Sequence, residues 1–389
     1  MSEGPANQSR RVAILAHNLR AAGGLSVGRN VIAALGRVRP AHRYLLFMPR
    51  GVGYEDVPKP SQSESRYFDR GEGWARQYRY ERSELPQAVR EYGPDVVWGL
   101  GNFGLRRPGC FQAVLVHKPH YIYGPQFQRM ELFRYRLLNA IGRRRLGRCL
   151  PSTQLVFCQT RTACDRFRET FRYAGRTAIM PNAVSQMTLG GDATAKPAVF
   201  DRLNAKFVLF CLTKYYAHKN LEALAEVFRR YAEDLRDVAI VLTTAASDHP
   251  SAARFLEQLA DPRCRDHLIN VGPVTQAELA GYFAHCDGLI LPTRLESFSG
   301  TYLEAMQFRR PILTSDLDFA RDVCGPAARY FDPLDPASIR DAILGLKTSP
   351  TLRGELVAAG EARMTSFFRD WDSITADAMD EIEAMLRKG

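Results

Sequence analysis

Residues 287–308 read DGLILPTRLESFSGTYLEAMQF, and this stretch predicts a strand, a loop and the start of a helix. Its apolar run GLIL has the length of a buried strand and ends at Pro292. A polar loop follows, and a helical pattern resumes near Ser299 or Thr301. Backbone N–H groups at such a turn, together with the helix dipole, form a binding site for an anion.

Two carboxylates frame this predicted anion site, Glu296 in the loop and Glu304 just inside the helix. Because carboxylates repel phosphate, their expected partners are hydroxyl groups on either side of it. A diphosphate with a sugar at each end fits this layout, with one Glu on the ribose and the other on a transferred hexose. A helix cap is the simpler interpretation, because Thr301-x-x-Glu304 has capping-box spacing and Ser299 is an alternative N-cap.

Strand-like apolar runs alternate with helical segments along the whole chain. They are VAILAH (12–17), YLLFM, DVVWGL, AVLVH and LVFCQ in the first half, and KFVLFCLT, VAIVLTT, HLINVG, GLILPT and RPILTS from Lys206 onward. This alternation predicts an α/β protein in which helices cover both faces of parallel sheets. We expect two Rossmann-like, doubly wound domains that face each other across a cleft at the carboxyl ends of their strands.

The predicted domains span residues 1–190 and 191–366, and a closing helix at 367–389 has an amphipathic pattern that suits packing back on the first domain. Residues 185–204 are interpreted as the linker. Residues 50–82, rich in Gly, Pro, Ser and charge, are interpreted as a long surface excursion.

Composition indicates a soluble, two-domain protein of 389 residues, 46% hydrophobic and 24% charged. The N-terminus, MSEGPANQSRR, lacks the apolar core of a signal peptide, and no apolar run approaches the ~20 residues that span a bilayer. The eight cysteines occur singly, without a CxxC pair. We therefore expect a cytoplasmic protein with reduced thiols, and neither a disulfide framework nor a zinc site.

The net charge of +11 is concentrated between residues 126 and 176, which contain 12 Arg and 3 acidic residues. The centre of this segment, at 129–148, places aromatic and aliphatic residues among arginines at helical spacing. This pattern predicts a basic amphipathic helix that meets anionic lipid at the inner face of the cell membrane, or a phosphate-bearing acceptor. A solvated helix face is the alternative. Nucleic acid is not expected, because no nucleic-acid-binding motif accompanies the charge.

Two lysines follow the predicted strand KFVLFCLT, in LTKYYAHKNLEAL. Lys214 and Lys219 bracket the turn at the strand's carboxyl end, where two cations would neutralise a leaving diphosphate. Alternatively, both lysines face solvent and Asn220 caps the next helix.

The first domain offers weaker signals at two strand ends. The turn that contains Gly23 and Gly24 follows the first strand, and its glycines allow backbone N–H groups to approach a phosphate. His117 ends a later strand and would face the cleft. We reject a metal site at His117-x-x-His120, because no carboxylate or Cys lies near it in sequence. Asp316-Leu317-Asp318 superficially matches a metal-binding DxD pair but is interpreted as structural, because Asp is favoured early in a helix.

These residues resemble family four of the retaining GT-B glycosyltransferases, which build bacterial cell-surface polysaccharides. The most specific part of the match is E-x7-E, formed here by Glu296 and Glu304 in PTRLESFSGTYLEAM. The other corresponding parts are RPILTSDLDFARDVCGPAARYFDP, KN at Lys219-Asn220, PNAV at 181–184 and the Gly-Gly turn at 23–24. The resemblance covers nearly the whole chain and implies a GT-B fold.

The resemblance also implies roles: Glu304 holds the ribose hydroxyls, Glu296 contacts the transferred sugar, and Lys214 and Lys219 bind the diphosphate. The other implied donor contacts are Gly23, Gly24, Asn220, Ser297, Phe298, Ser299, Gly300 and Thr301, with His117 facing the sugar. Two departures stand out. The family usually has Arg at position 214, and the lysine found here lacks the forked guanidinium that binds a phosphate through two parallel hydrogen bonds. The family also often has Gly at positions 297 and 299, where this chain has Ser.

By the same resemblance, the donor is a nucleotide sugar such as GDP-mannose or a UDP-hexose, the acceptor is a glycan or lipid-linked hydroxyl, and neither metal nor cofactor is expected. A nucleotide diphosphate leaves readily, so the main task is to stabilise charge on the departing phosphate. We therefore predict front-face transfer with retention, without the two facing carboxylates of a glycosidase. The alternatives are another GT-B chemistry, such as nucleotide-sugar epimerisation or glycogen-like synthesis, and a catalytically silent scaffold protein.

Overall fold

The computed structural model of the chain describes residues 9–69, 74–124, 128, 130–184, 190–203, 206–367 and 369–387. Within these limits the chain divides into two compact units. The first unit contains the described residues of 1–125, 133–182 and 369–389, and the second contains those of 126–132 and 183–368. The expected absence of a signal peptide concerns residues that lie largely outside this description.

The first unit is built on a parallel sheet with strand order β3-β2-β1-β4-β5-β6-β7. The strands are β1 (Arg11–Leu15), β2 (Arg43–Pro49), β3 (Ser63–Phe68), β4 (Val96–Gly99), β5 (Phe111–Val116), β6 (Leu155–Cys158) and β7 (Arg176–Ile179). Strands β2, β4, β5 and β6 are buried almost end to end, as expected for a sheet covered on both faces.

Helices cover this sheet, and the last helix of the chain belongs to the same unit. They are α1 (Ala22–Val38), α2 (Trp74–Arg79), α3 (Leu85–Tyr92), α4 (Pro119–Ile122), α5 (Phe133–Cys149), α6 (Arg161–Phe171) and, from the end of the chain, α15 (Trp371–Leu386). Helix α15 packs on α1, and its contacts include ion pairs from Arg37 to Asp372 and from Arg39 to Glu383.

The second unit repeats this plan with a parallel sheet of order β10-β9-β8-β11-β12-β13. Its strands are β8 (Phe207–Cys211), β9 (Val238–Leu242), β10 (Leu268–Asn270), β11 (Gly288–Leu291), β12 (Ile312–Ser315) and β13 (Ala328–Phe331). Its helices are α7 (Val199–Arg202), α8 (Glu222–Tyr231), α9 (Ala252–Gln258), α10 (Leu279–His285), α11 (Gly300–Gln307), α12 (Asp318–Cys324), α13 (Pro336–Thr348) and α14 (Pro350–Phe367).

Strand order reverses once in each sheet. In the first unit the chain runs outward from β1 to β3 and then returns to β4 on the other side of β1. In the second unit it runs from β8 to β10 and returns to β11 beside β8. Ligands of doubly wound sheets bind at the carboxyl ends of the strands where this reversal occurs. The predicted α/β class with two doubly wound, Rossmann-like domains is confirmed.

Several local predictions are wrong. The excursion at 50–82 contains β3 and α2, and the linker at 185–204 contains α7, although residues 185–189 and 204 of that linker lie outside the description. The Gly-Gly turn is the first turn of α1, which already begins at Ala22.

All eight cysteines are free thiols, and seven of them are buried.

Candidate functional site

An ion pair joins the two loops that leave the central strands of the second unit. Lys219 Nζ, in the loop after β8, lies 2.5 Å from Glu296 Oε2, in the loop after β11. Both side chains are 14% exposed. Since β8 and β11 are neighbours at the point where strand order reverses, the pair stands at the position where doubly wound sheets bind their ligands.

Glu296 is held in its ionised form. Burial on its own would raise the pKa of this carboxyl, but the Lys219 ammonium, His218 and the N–H group of Ser297, which donates to Oε1 at 3.1 Å, together outweigh burial. The net result is a pKa below the usual value of glutamic acid. Glu296 is therefore a carboxylate, held in place by Lys219, at neutral pH.

The loop that carries Lys219 is shaped by Asn220. Residues Ala217–Lys219 form one 3-10 turn, and Asn220 follows with φ at 58°, in the left-handed region. Its side-chain amide donates to the carbonyl oxygens of Pro292 (3.2 Å) and Pro333 (2.8 Å). Asn220 is therefore no helix cap, because α8 begins only at Glu222. It ties the β8 loop to the loops after β11 and β13.

Helix α11 begins at Gly300, directly after Ser299 in the N-cap position. The Ser299 side chain makes no capping hydrogen bond, and Thr301 already lies inside the first turn. The capping-box interpretation of Thr301 and Glu304 is therefore wrong. The first-turn amides of a helix have no intrahelical acceptor, so this turn presents N–H donors.

The other predicted donor contacts cluster around the same turn. Ser297, Phe298 and Ser299 are buried, whereas Glu304 is partly exposed one turn into α11. Gly300 has open space where a Cβ would stand, within the described part of the chain. The helix is fixed from behind by Tyr302, whose hydroxyl lies 2.7 Å from Thr314 Oγ1 on β12. The loop residues thus rest on a rigid support.

Lys214 stands apart from this arrangement. It is exposed, and no hydrogen bond or ion pair of its ammonium is found within the described residues. The structure therefore brings Lys219 to Glu296 but leaves Lys214 in solvent near the end of β8. An exposed lysine remains able to reach an anion, but it is not positioned in advance.

Two features of this region escaped the sequence analysis. His218 Nδ1 lies 2.9 Å from Glu131 Oε1, and both side chains are buried, although the residues are 87 positions apart. Arg294 borders a cavity of about 770 Å³ together with Asp316 and Asp332. Its guanidinium makes no ion pair within the part of the chain that is described. No spacing motif signals either feature, because each depends on loops that meet only after folding.

In the first unit, Gly24 and His117 lie against each other. A Cβ on Gly24 would stand 3.4 Å from His117 Cε1 and 3.2 Å from Leu19 Cδ2, so a glycine permits this close approach. A Cβ on Gly23 would have no described atom within 4 Å. The backbone N–H of His117 donates to Asn102 Oδ1 at 2.8 Å. Burial lowers the pKa of His117 to about 4, so its imidazole is neutral at physiological pH.

A second histidine of this unit was not predicted. His17 follows β1 at its carboxyl end, is 4% exposed, and places Nε2 at 3.2 Å from Glu81 Oε1. Glu81 also pairs with Arg145 at 2.6 Å. Burial would raise the pKa of Glu81, but its hydrogen bond to His17 and the charge of Arg145 lower it to about 2. Glu81 lies in one turn of π-helix at Tyr80–Glu84, a distortion that often marks functional segments.

The aspartates at 316 and 318 play structural parts, as predicted. Asp316 forms a two-pronged ion pair with Arg321 on α12, and this pairing lowers the pKa of its carboxyl. Asp318 is the first residue of α12.

A family match lies within the second unit, and two curated proteins match about half of the chain. Residues 206–349 match the family described as "Glycosyl transferases group 1". A D-inositol 3-phosphate glycosyltransferase of Xylanimonas cellulosilytica is 28% identical over 200 residues, which cover 49% of this chain and 46% of that protein. A phosphatidyl-myo-inositol mannosyltransferase of Mycobacterium leprae is 26% identical over 215 residues, covering 54% of each. The matches thus span about half the length of these curated relatives.

Solved structures share the fold over nearly the whole chain. Sucrose-phosphate synthase from Thermosynechococcus elongatus superposes with a TM-score of 0.74 at 14% identity, covering 98% of this chain and 100% of that one. Anabaena HepE in complex with UDP-glucose superposes with a TM-score of 0.68 at 14% identity, covering 96% and 100%. At such identities the likeness shows the fold alone, and that fold is GT-B.

Proposed function

We propose that this chain, a GT-B protein whose residues 206–349 form a group 1 glycosyl transferase domain, moves a hexose from a nucleotide diphosphate sugar to a hydroxyl acceptor. One observation carries the proposal. Lys219 and Glu296 are paired at the carboxyl ends of β8 and β11, beside the first turn of α11. A cation, a carboxylate and helix N–H groups side by side suit a ligand that combines phosphate with sugar hydroxyls.

The groups divide the task by charge. Lys219 and the first-turn amides of α11 would stabilise the negative charge that builds up on the departing diphosphate. Glu296, ionised by its neighbour, would accept hydrogen bonds from the transferred sugar, and Glu304 from the ribose. Lys214 would move onto the diphosphate from its exposed position. Since Lys219 is already fixed in place, its stabilising contact needs little reorganisation.

His117 and Gly24 of the first unit are proposed as further ligand contacts. A neutral imidazole can accept or donate a hydrogen bond to a sugar hydroxyl without attracting a phosphate. Their neighbouring positions suit a close approach of ligand to backbone at the start of α1.

We propose front-face transfer with retention of anomeric configuration. A lysine and amide dipoles support the leaving phosphate on the face from which the acceptor hydroxyl arrives, and that phosphate can take the proton. No metal ion is required in this scheme, because Lys219 supplies the positive charge. An α-linked donor that gave a β-linked product, assigned by NMR, would overturn retention. Loss of activity in EDTA, restored by Mg²⁺ or Mn²⁺, would overturn metal independence.

For the donor we propose GDP-mannose or a UDP-hexose, and for the acceptor a polyol, glycan or lipid-linked glycan hydroxyl. Support comes from the relatives: the names of two of them mention an inositol-containing compound, and one of the two is a mannosyltransferase. A structural neighbour was solved with UDP-glucose. We place the reaction in the cytoplasm, at the inner face of the cell membrane where lipid-linked acceptors are exposed.

The decisive experiment is isothermal calorimetry with UDP, GDP, UDP-glucose and GDP-mannose, followed by NMR of the sugar product. A glycosyltransferase binds the nucleotides of one base, hydrolyses its donor slowly to free sugar and nucleoside diphosphate in water, and transfers the sugar to the hydroxyl of an added acceptor more rapidly. Binding of none of these ligands would identify a silent scaffold and refute the proposal. Conversion of the donor to its epimer without release of the nucleotide would identify an epimerase instead.

A further inference from the structure

Helix α5 exposes large apolar side chains where a surface helix normally carries polar ones. Phe133 is 78% exposed, Leu137 52%, Leu138 58% and Ile141 57%. Phe133, Leu137 and Ile141 follow one another at four-residue spacing, so they form a stripe along one side of the helix. Contiguous exposed apolar surface of this kind marks a place where something else binds.

The orientation of α5 is fixed by its inner side. Gly142 sits so close to Tyr121 that a Cβ would meet its hydroxyl oxygen at 2.2 Å. Leu146 is fully buried one turn further on. Arg145 pairs with Glu81 at 2.6 Å, and its guanidinium lies 4.0 Å from the ring centroid of Phe103. The apolar stripe cannot turn inward without breaking these contacts.

Positive charge surrounds the stripe. The helix contains six arginines and no acidic residue. Arg134, Arg136, Arg144 and Arg148 are exposed, whereas Arg143 and Arg145 are partly buried. The sequence analysis expected a basic amphipathic helix at 129–148, of which Arg129 lies outside the described residues. In the structure the apolar side faces outward together with the arginines, while Asn139 and Gly142 face inward.

The exposed apolar stripe and the arginines around it together indicate which partner binds α5. A second copy of the chain would bring another set of six arginines against the first, so charge repulsion opposes a dimer through this face. Among the described residues, no helix combines the length and the apolarity needed to cross a bilayer. An anionic lipid surface satisfies both properties, since its acyl region accepts the apolar side chains and its phosphates accept the arginines.

We propose that α5 lies in the interface of an anionic membrane, with Phe133, Leu137 and Ile141 inserted between lipids and Arg134, Arg144 and Arg148 on the headgroup phosphates. Its biological use rests on the proposed function, because the helix would bring the enzyme to a lipid-linked acceptor. The binding itself requires neither donor nor acceptor. It can therefore fail while glycosyl transfer stands, and the reverse also holds.

The test is sedimentation of the full chain with two kinds of vesicle at low salt. One consists of phosphatidylcholine alone, and the other also contains phosphatidylglycerol. We expect the chain to pellet with the anionic vesicles and to be released as salt is raised, because screening weakens the arginine contacts. Absence from the anionic pellet at low salt would overturn the proposal.

Variants separate the two contributions. The double variant Leu137→Gln/Ile141→Gln should bind anionic vesicles about tenfold more weakly or worse, because two inserted side chains are lost. Arg134→Gln, Arg144→Gln and Arg148→Gln should each weaken binding about fivefold. Leu334→Gln is the matched control, since Leu334 is 64% exposed in the second unit and should bind as the wild type does.

Circular dichroism and nucleotide calorimetry establish that each variant is folded before its vesicle binding is compared. If Leu137→Gln/Ile141→Gln binds as tightly as Leu334→Gln, the apolar stripe does not insert and the proposal fails. Light scattering with size-exclusion chromatography provides the other contradiction. A wild-type dimer that the α5 variants convert to monomers would make this face a protein interface.

Discussion

The carboxyl edges of the two sheets share a topology but differ in chemistry. Both sheets are parallel, and both reverse strand order beside their first strand. At this edge the second unit carries the Lys219–Glu296 ion pair next to a helix N-terminus. The first unit carries Gly24 against His117, whose pKa of about 4 leaves it uncharged. The second unit thus presents a lysine and a carboxylate at this position, whereas the first unit presents a neutral imidazole here and keeps its charged groups, Glu81 and Arg145, beside His17.

This difference arises in loops of only a few residues, whereas the central strands of both sheets are similar buried, apolar segments. In the second unit, Asn220 and Tyr302 fix the loops through hydrogen bonds to neighbouring strands and loops. In the first unit, Asn102 holds the backbone of His117 in the same manner. The scaffold therefore fixes the positions of these loops, and the loop side chains set the local charge.

The largest expected effect comes from removing the positive charge of Lys219. Lys219→Ala should lower kcat about 100-fold or more, equivalent to about 3 kcal/mol, because the departing diphosphate loses its prepositioned charge. Lys219→Arg should recover part of the rate. Steady-state kinetics with the donor identified by calorimetry would measure both.

A matched lysine provides the control for this effect. Lys347 also forms an ion pair at 2.5 Å, with Asp237. Asp237 directly precedes β9, so this pair lies at the amino ends of the parallel strands, away from the loops that carry Lys219 and Glu296. Lys347→Ala should therefore leave kcat unchanged. A loss below threefold in Lys219→Ala, or an equal loss in both variants, would show that the Lys219–Glu296 pair is merely structural.

Substitutions of Asn220 test how firmly the loop that carries Lys219 is held in place. Asn220→Ala removes two hydrogen bonds. It also places alanine, which adopts the left-handed conformation less readily than asparagine, at φ 58°. The free energy of unfolding should therefore fall by about 2–3 kcal/mol. Asn220→Gly tolerates that φ and should lose only about 1–2 kcal/mol. Urea unfolding measures the two values. Equal losses would mean that backbone conformation contributes nothing at this position.

Buried His117 of the first unit predicts a pH dependence of stability. The pKa of His117 is lowered by burial from 6.5 to about 4, so between these values the unfolded chain binds more protons than the folded one. Stability present above pH 6.5 is therefore lost as the pH falls towards 4, by about 2 kcal/mol near pH 5. His117→Gln should lack this loss, and the difference between the two unfolding curves isolates it from other groups. An NMR titration showing His117 protonated near pH 6.5 would contradict the neutral state of this imidazole.

The sequence predicts interior strands far better than edge strands. Central strands such as β8 and β11 are continuous apolar runs, because helices cover both of their faces. The three strands that were missed, β3, β7 and β13, all lie at sheet edges and read SESRYF, RTAI and ARYF. An edge strand pairs on one side only and is partly exposed, so its residues need not form an apolar run.

For the candidate site, residue types were predictable but contacts were not. Motif spacing singled out Glu296 and Lys219, whose pairing at 2.5 Å then emerged from the folded loops. The capping interpretations of Asn220 and Thr301 failed because helix starts are poorly defined by composition. The His218–Glu131 pair left no trace in the sequence, since its partners are 87 residues apart. Long-range pairs of this kind depend on tertiary packing.

The smallest predicted effect compares two adjacent glycines in the first turn of α1. Gly23→Ala meets open space and should stabilise the chain by about 0.5–1 kcal/mol, because alanine has the higher helix propensity. Gly24→Ala should show little or no gain, since its Cβ would press on Leu19 and His117 at 3.2 and 3.4 Å. Thermal unfolding of the two variants measures the difference. If Gly24→Ala stabilises as much as Gly23→Ala and leaves transfer unchanged, the contact with His117 is loose and the ligand contact proposed for His117 has no need of a glycine at position 24.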